Sequence, residues 1–143
     1  MNVLVINGPN LSRLDIRDSS IYGDMSYPNL VAHIKQAAEI HGFEADIRQS
    51  DDEATIIGWL HEAADANLPV IINPAAFTHY SYAIRDAAEL VKNVLIEVHL
   101  SNPMSREEFR HTSVISGVAN GTIAGFGPNS YVLALIALKS LIS

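Results

Sequence analysis

The sequence predicts a three-layer α/β domain built on a parallel sheet of about five strands. Three observations support that class. Apolar runs of strand length recur along the chain, stretches of helical periodicity fall between them, and 143 residues with 48% hydrophobic content suffice for one ordinary core. Strands that alternate with helices join through right-handed crossovers, which cover both faces of the sheet.

The first run, "NVLVI" at 2–6, breaks at Gly8-Pro9 and has no basic leader, so it reads as a strand rather than a signal peptide, with a cytoplasmic location as the default. Ser12 to Ser26 then forms the one irregular segment of note. A loop of that length in a compact domain is commonly a lid. Arg13, Arg17 and Tyr22 equip it chemically, and Gly23 would be its hinge. Leu30, Val31, Ile34, Ala37 and Ala38 recur at helical spacing, and Gly42 is placed to close that helix.

"EADIR" at 44–48 is the second strand, and Asp51 and Asp52 behind it read as solvated loop acids. The next apolar stripe is Ile56, Ile57, Leu60, Ala63 and Ala64. "VIIN" at 70–73 is the third strand, followed by a helix carrying Ala83, Ile84, Ala87, Ala88 and Val91, with Arg85 and Asp86 at its start. "VLIEVH" at 94–99 is the fourth strand. Ser105 to Glu108 beyond it has the form of a capping box. "GTIAGF" at 121–126 is the fifth, and Gly125 and Gly127 serve the turn into the last helix. That helix, "YVLALIALKSLI" at 131–142, is apolar nearly all round, but it contains Lys139 and falls short of the ~20 residues a bilayer span needs. It reads as a helix buried on more than one face, which points toward a subunit interface.

This element order suits a flavodoxin-like arrangement, in which ligands bind beyond the carboxyl ends of the strands, where the winding reverses between strands one and three. The loops after strands one, three and four, "NGPNLSRL", "NPAAFTHYS" and "HLSNPMSR", should therefore hold the chemistry.

A formal charge of −7 disfavours a generic binder of phosphate backbones, so an anionic ligand must meet locally placed arginines. With no cysteine, disulfides, zinc-thiolate sites and cysteine nucleophiles are excluded together. The first strand ends without an acid, against a phosphoacceptor domain, and no Walker loop or Gly-x-Gly-x-x-Gly follows it. None of the histidines falls in a His-Glu-x-x-His motif. His33, His41 and His61 lie on helical stretches as surface residues, whereas His79 and His99 belong to strand ends. Lys35, Lys92 and Lys139 lie on helices or their ends, which leaves a Schiff-base mechanism without an obvious nucleophile.

Within the fourth strand, Glu97 and His99 share a face because they are two residues apart. A carboxylate beside an imidazole fixes its tautomer and raises its pKa, as a general acid requires. The same pair also describes a buried histidine satisfied by a structural partner. Arg106 reads as part of a salt-bridged surface turn, and Arg110 fits either that turn or a ligand site.

Taken together, "INGPNL" (6–11), Arg17 with "YG" (22–23), "RQSDDE" (48–53), "INPAAFTHYS" (72–81), "IEVHLSN" (96–102) and "REEFRHTS" (106–113) resemble, in order and spacing, the type II 3-dehydroquinate dehydratases over essentially the whole chain. The resemblance implies dehydration of 3-dehydroquinate to 3-dehydroshikimate by anti elimination through an enolate, without metal, cofactor or Schiff base. It also implies a homo-oligomer, a dodecamer built from trimers. The catalytic set it implies is Tyr22 as general base, His99 as general acid, Arg17 in the lid, Asn10 beside a water that stabilises the enolate, and Glu97 behind the acid. Asn73, His79 and Arg110, with the backbone N–H groups of Leu100 and Ser101, would bind substrate, and Asp86 would reach a neighbouring subunit's site. Nearby arginines would favour the tyrosinate, since an ordinary tyrosine has a pKa near ~10. Ser101 and Asn102 would turn toward the substrate carboxylate. Ser12, Asp15 and Asp18 depart from common family residues and bear on lid behaviour. The reaction serves equally in a route to aromatic amino acids through shikimate or in quinate breakdown, and the rival reading is a noncatalytic domain that binds small anions.

Overall fold

The computed structural model describes residues 1–22 and 25–142, with the side chain of Tyr22 outside that description. Five parallel strands form one sheet: β1 (Asn2–Asn7), β2 (Glu44–Gln49), β3 (Val70–Asn73), β4 (Leu95–His99) and β5 (Gly121–Ala124). Their spatial order is β2-β1-β3-β4-β5, so the winding reverses between β1 and β3.

Strand alternation sorts the core into two layers. Val3, Val5, Ile71, Ile96 and Val98 face the side covered by α2 (Tyr27–Ile40) and α5 (Asn129–Ile142). Leu4, Ile6, Val70, Ile72 and Leu95 face α3 (Glu53–Ala66) and α4 (Tyr82–Glu89). The three central strands are buried on both faces and read as continuous apolar runs for that reason. Ser26 caps α2, Asp52 caps α3 and Ser81 caps α4, each through its side-chain oxygen. Gly42, just past α2, takes a positive φ of 84°.

Several expectations need correction. Residues 12–22 are ordered into a 3-10 stretch, Leu11–Ile16, and one helical turn, α1 (Ser19–Tyr22), because Leu11 and Leu14 bury themselves under the loop. Gly23, the expected hinge, lies outside the described residues. Ala83 is exposed, and Arg85 and Asp86 sit within α4 rather than at its start, since Ser81 caps the helix earlier. No capping box forms at Ser105: its hydroxyl donates to the Asn102 carbonyl, and the following 3-10 turn, Glu108–His111, starts without a side-chain cap. Within this chain α5 buries only one stripe, with Tyr131, Ala134, Leu135 and Leu138 inward and Leu133, Ile136 and Leu141 exposed. Among the described residues, no helix is long and apolar enough to cross a membrane.

Candidate active site

The last residues of β1, β3 and β4 carry side chains to the carboxyl edge of the sheet, and the loops beyond them surround one pocket. Its walls are Pro9, Asn10, Leu11 and Arg17 after β1, Asn73, Ala75, Ala76 and His79 after β3, and His99, Leu100, Ser101, Pro103, Arg106 and Arg110 after β4. The loops after strands one, three and four therefore meet, as the reversal of winding requires. Three arginines line this pocket in a chain of net negative charge, which makes it locally suited to an anion.

At its floor, His99 and Glu97 stand two residues apart on one face of β4. The Nε2 of His99 lies 2.6 Å from Glu97 Oε2, and Glu97 is wholly buried. Commitment of Nε2 to the carboxylate leaves Nδ1 as the ring nitrogen able to serve a ligand. Burial opposes the charge on Glu97, yet hydrogen bonds from His99, Ser116 and Thr78 and the imidazolium charge hold its carboxyl below the usual range.

The β1 loop is held in place by its neighbours. Asn10 adopts a left-handed conformation, φ 69°, which asparagine tolerates better than most residues. Its N–H donates to Asp51 Oδ1 at 2.9 Å, and Gln49 Nε2 donates both to the Gly8 carbonyl and to Asp51 Oδ1, each at 3.1 Å. Asp51 is therefore more than a solvated loop acid, because it clamps the backbone of a pocket residue. The pattern of the strand gave no signal for this, since the contact crosses from the β2 loop to the β1 loop.

Asn73 is fixed from below. Its Nδ2 donates to the Tyr131 hydroxyl at 2.9 Å, its Oδ1 accepts the Ala75 N–H at 3.1 Å, and Tyr131 in turn donates to Asn7 Oδ1 at 2.6 Å. With one amide hydrogen committed, Asn73 has a second donor to offer the pocket. Burial pushes the Tyr131 phenol well up, so it stays neutral and keeps its proton for Asn7. Ala75 holds φ 54°, a strained conformation for a residue with a Cβ, at the lip of the same pocket.

His79 rests its Nδ1 2.8 Å from the Thr112 carbonyl. Burial lowers its pKa, and the positive neighbours His99 and Arg110 add to that against the Thr112 carbonyl and Glu97. Arg110 donates Nε to Glu107 at 2.8 Å and stacks over Phe109, its centre 4.5 Å from the ring centroid. Arg106, read from sequence as a surface residue, lines the pocket and reaches Ser101 Oγ at 3.3 Å. Asn102 does not join the walls; its side chain caps the 3-10 turn Pro103–Ser105 by accepting the Met104 N–H. Asp86 is exposed on α4 and is not among this chain's own pocket walls. The side chain proposed as base, Tyr22, lies outside the described residues, although α1 ends at that position. Among the described residues no cluster of three or more His, Asp or Glu side chains is arranged to hold a metal ion.

Comparison with known proteins places this geometry among similar molecules. The family model described as dehydroquinase class II matches residues 1–139. A 3-dehydroquinate dehydratase of Salinispora tropica is 53% identical over 135 residues, covering 94% of each chain. One from Halalkalibacterium halodurans is 52% identical over 136 residues, covering 95% of this chain and 94% of the other. The crystal structure of a type II dehydroquinase from Propionibacterium acnes superposes with a TM-score of 0.95 at 47% identity, covering 97% of this chain and 96% of that one.

Proposed function

The chain belongs to the class II dehydroquinase family, and from that premise we infer what its pocket does. It is a 3-dehydroquinate dehydratase, a hydro-lyase that removes water from 3-dehydroquinate to give 3-dehydroshikimate. The observation that best supports a chemical role for the site is the buried Glu97–His99 pair opening into a pocket with three arginines.

In the mechanism we propose, a proton α to the ring ketone passes to Tyr22 and the electron pair it leaves forms an enolate. Asn10, clamped by Asp51, supports that enolate through a water. The enolate then reforms the ketone, the carbon–oxygen bond to the departing hydroxyl breaks on the opposite face, and His99 supplies the proton that makes this oxygen leave as water. Glu97 stabilises the imidazolium before transfer and orients the ring. Arg17 favours the phenolate of Tyr22, while Asn73, His79, Arg110 and the backbone of Leu100 and Ser101 position substrate.

The proposal extends to a homo-oligomer, a dodecamer of trimers, in which Asp86 reaches a neighbour's site. Exposed Leu133, Ile136 and Leu141 on α5 support burial against another copy. Light scattering that returned only monomer at assay concentration would contradict it. A cytoplasmic setting belongs to the same reading. Cell fractionation tests that part.

Purified protein mixed with 3-dehydroquinate should generate the ultraviolet absorbance of a conjugated enone. Turnover should survive both a chelator and pretreatment with borohydride. Folded protein that binds the substrate without turning it over would favour a noncatalytic anion-binding domain.

A further inference from the structure

Glu97 has more partners than the histidine it orients. Thr78 Oγ1 lies 2.5 Å and Ser113 Oγ 3.0 Å from Oε2, while Ser116 Oγ lies 2.6 Å and Ser113 Oγ 3.1 Å from Oε1. These hydroxyls come from the 3-10 turn Ala75–His79 and from the segment that leads into β5, so two separate pieces of chain converge on one buried carboxylate of β4.

A proton inventory shows what the convergence demands. Ser113 Oγ accepts the N–H groups of Ile115 and Ser116 at 3.1 and 3.0 Å, which occupies both its lone pairs. Its own hydrogen must therefore be donated, to Glu97 or to Thr78 Oγ1 at 2.8 Å. Ser116 Oγ lies 3.2 Å from Thr122 Oγ1, which donates to it, so the Ser116 hydrogen goes to Oε1. Thr78 directs its single hydrogen at Oε2. Every hydroxyl around Glu97 is thus arranged to give, and an ionised carboxylate is the form that only receives.

The competing state of the pair moves the proton from His99 to Glu97, leaving a neutral imidazole and a carboxylic acid. Such an acid accepts hydrogen bonds poorly and would waste the surrounding donors. We propose that Thr78, Ser113 and Ser116 are positioning residues that keep Glu97 a carboxylate, so that the proton of the pair remains on His99 for delivery to the leaving group. None of the three lines the pocket with Asn10 and Arg17, so they act through Glu97 rather than on substrate. The catalytic consequence rests on His99 being the general acid, whereas the proton location does not.

Other titratable or charged groups also face the pair. His79, Arg17, Arg106 and Arg110 share the pocket with His99, and His111 lines an adjoining cavity together with Glu97 and His99. All five stay intact when a hydroxyl is removed, so a change in the pair's titration reports the cradle.

The test is a nitrogen-15 NMR titration of the His99 ring in the ligand-free protein, comparing the native chain with Thr78→Val, Thr78→Ser and Ser116→Ala. Loss of either hydroxyl should raise the share of the pair with its proton on Glu97 roughly threefold or more, read below the midpoint as ring nitrogens shifting toward neutral imidazole, with no fall in the midpoint itself. Thr78→Ser should restore the native share. Ser116 is partly exposed, so its replacement gives a folded readout should the buried Thr78→Val variant fail to fold. With 3-dehydroquinate, kcat on its neutral plateau should fall with that loss of imidazolium, with KM within about twofold, as expected for groups acting only on the acid. Ring signals that keep their native imidazolium character while stability falls would make these hydroxyls merely structural and overturn the proposal. Ring signals that shift toward neutral imidazole in a protein without turnover would uphold the cradle and refute the reaction instead.

Discussion

Single side chains at this site are defined by what they can still give once their neighbours are served. His99 has Nε2 committed to a buried carboxylate, so one nitrogen carries its chemistry. Removing the proposed acid in His99→Ala, or the proposed base in Tyr22→Phe, should each reduce kcat by roughly 10²–10⁴-fold, the range for a positioned proton-transfer group. Steady-state kinetics on folded variants checks this, and near-native turnover would remove the residue concerned from the mechanism. The pairing of Glu97 with His99 was legible because a strand shows its faces at every second residue. The hydroxyls of Thr78, Ser113 and Ser116 were not, since they reach Glu97 from loops whose approach depends on tertiary packing. Tyr131 illustrates the same limit: it reads as one more apolar residue of α5, yet its hydroxyl joins Asn7 and Asn73 beneath the pocket. Tyr131→Phe keeps the ring and leaves the Asn7 carbonyl oxygen and an Asn73 amide hydrogen unpaired. It should cost about 1–3 kcal/mol of stability in urea denaturation and raise KM as the Asn73 amide loses its fixed orientation. Unchanged stability and KM would show that Asn73 is held by the Ala75 N–H alone.

Elements bring these groups together through contacts that tolerate little added volume. Five strands and four long helices were readable from apolar periodicity, with strand bounds that agree closely with the structure, because central parallel strands must be apolar on both faces. Connections were less readable. Residues 12–22 looked like a long irregular loop because Leu11 and Leu14 are too few to make a periodic stripe, although burying them is enough to wind the segment. One close approach between connections lies at Gly8, whose N–H donates to the Asn73 carbonyl at 2.8 Å. A Cβ there would meet the Pro74 carbonyl oxygen at 2.6 Å and its carbon at 2.8 Å, both backbone atoms that cannot rotate away. Gly8→Ala should therefore push the β1 loop off the β3 loop, separating Asn10 from Asn73. The expected result is a loss of about 1–3 kcal/mol in denaturant unfolding together with a raised KM. A variant of native stability and KM would mean that the two loops have slack to separate without moving the pocket.

For the whole molecule, the buried ionisable groups of the site couple stability to pH. The His79 ring titrates below its ordinary value of 6.5, first because it is buried and then because His99 and Arg110 stand near it. Between those two pKa values the unfolded chain binds the proton and the folded chain does not, so the stabilising contribution is complete above pH 6.5 and fades as pH falls through the folded pKa. Glu97 titrates below its ordinary 4.5, because its hydrogen-bond donors and His99 outweigh its burial. Its contribution is complete above pH 4.5 and is lost as pH falls through the lower folded value. Thermal unfolding at one fixed protein concentration, which holds any association constant, should therefore show a plateau near neutral pH and then a decline in two stages. The first stage belongs to His79 and the second to Glu97. His79→Gln cannot take up that proton, so it should remove the first stage and leave the second. A native chain whose unfolding temperature stays flat from about pH 7.5 to about pH 5 would show that protonating His79 carries no penalty in the folded site. In that case the folded pocket accepts a protonated His79, and the positive charge set against an anionic substrate would be larger than the arginines alone provide.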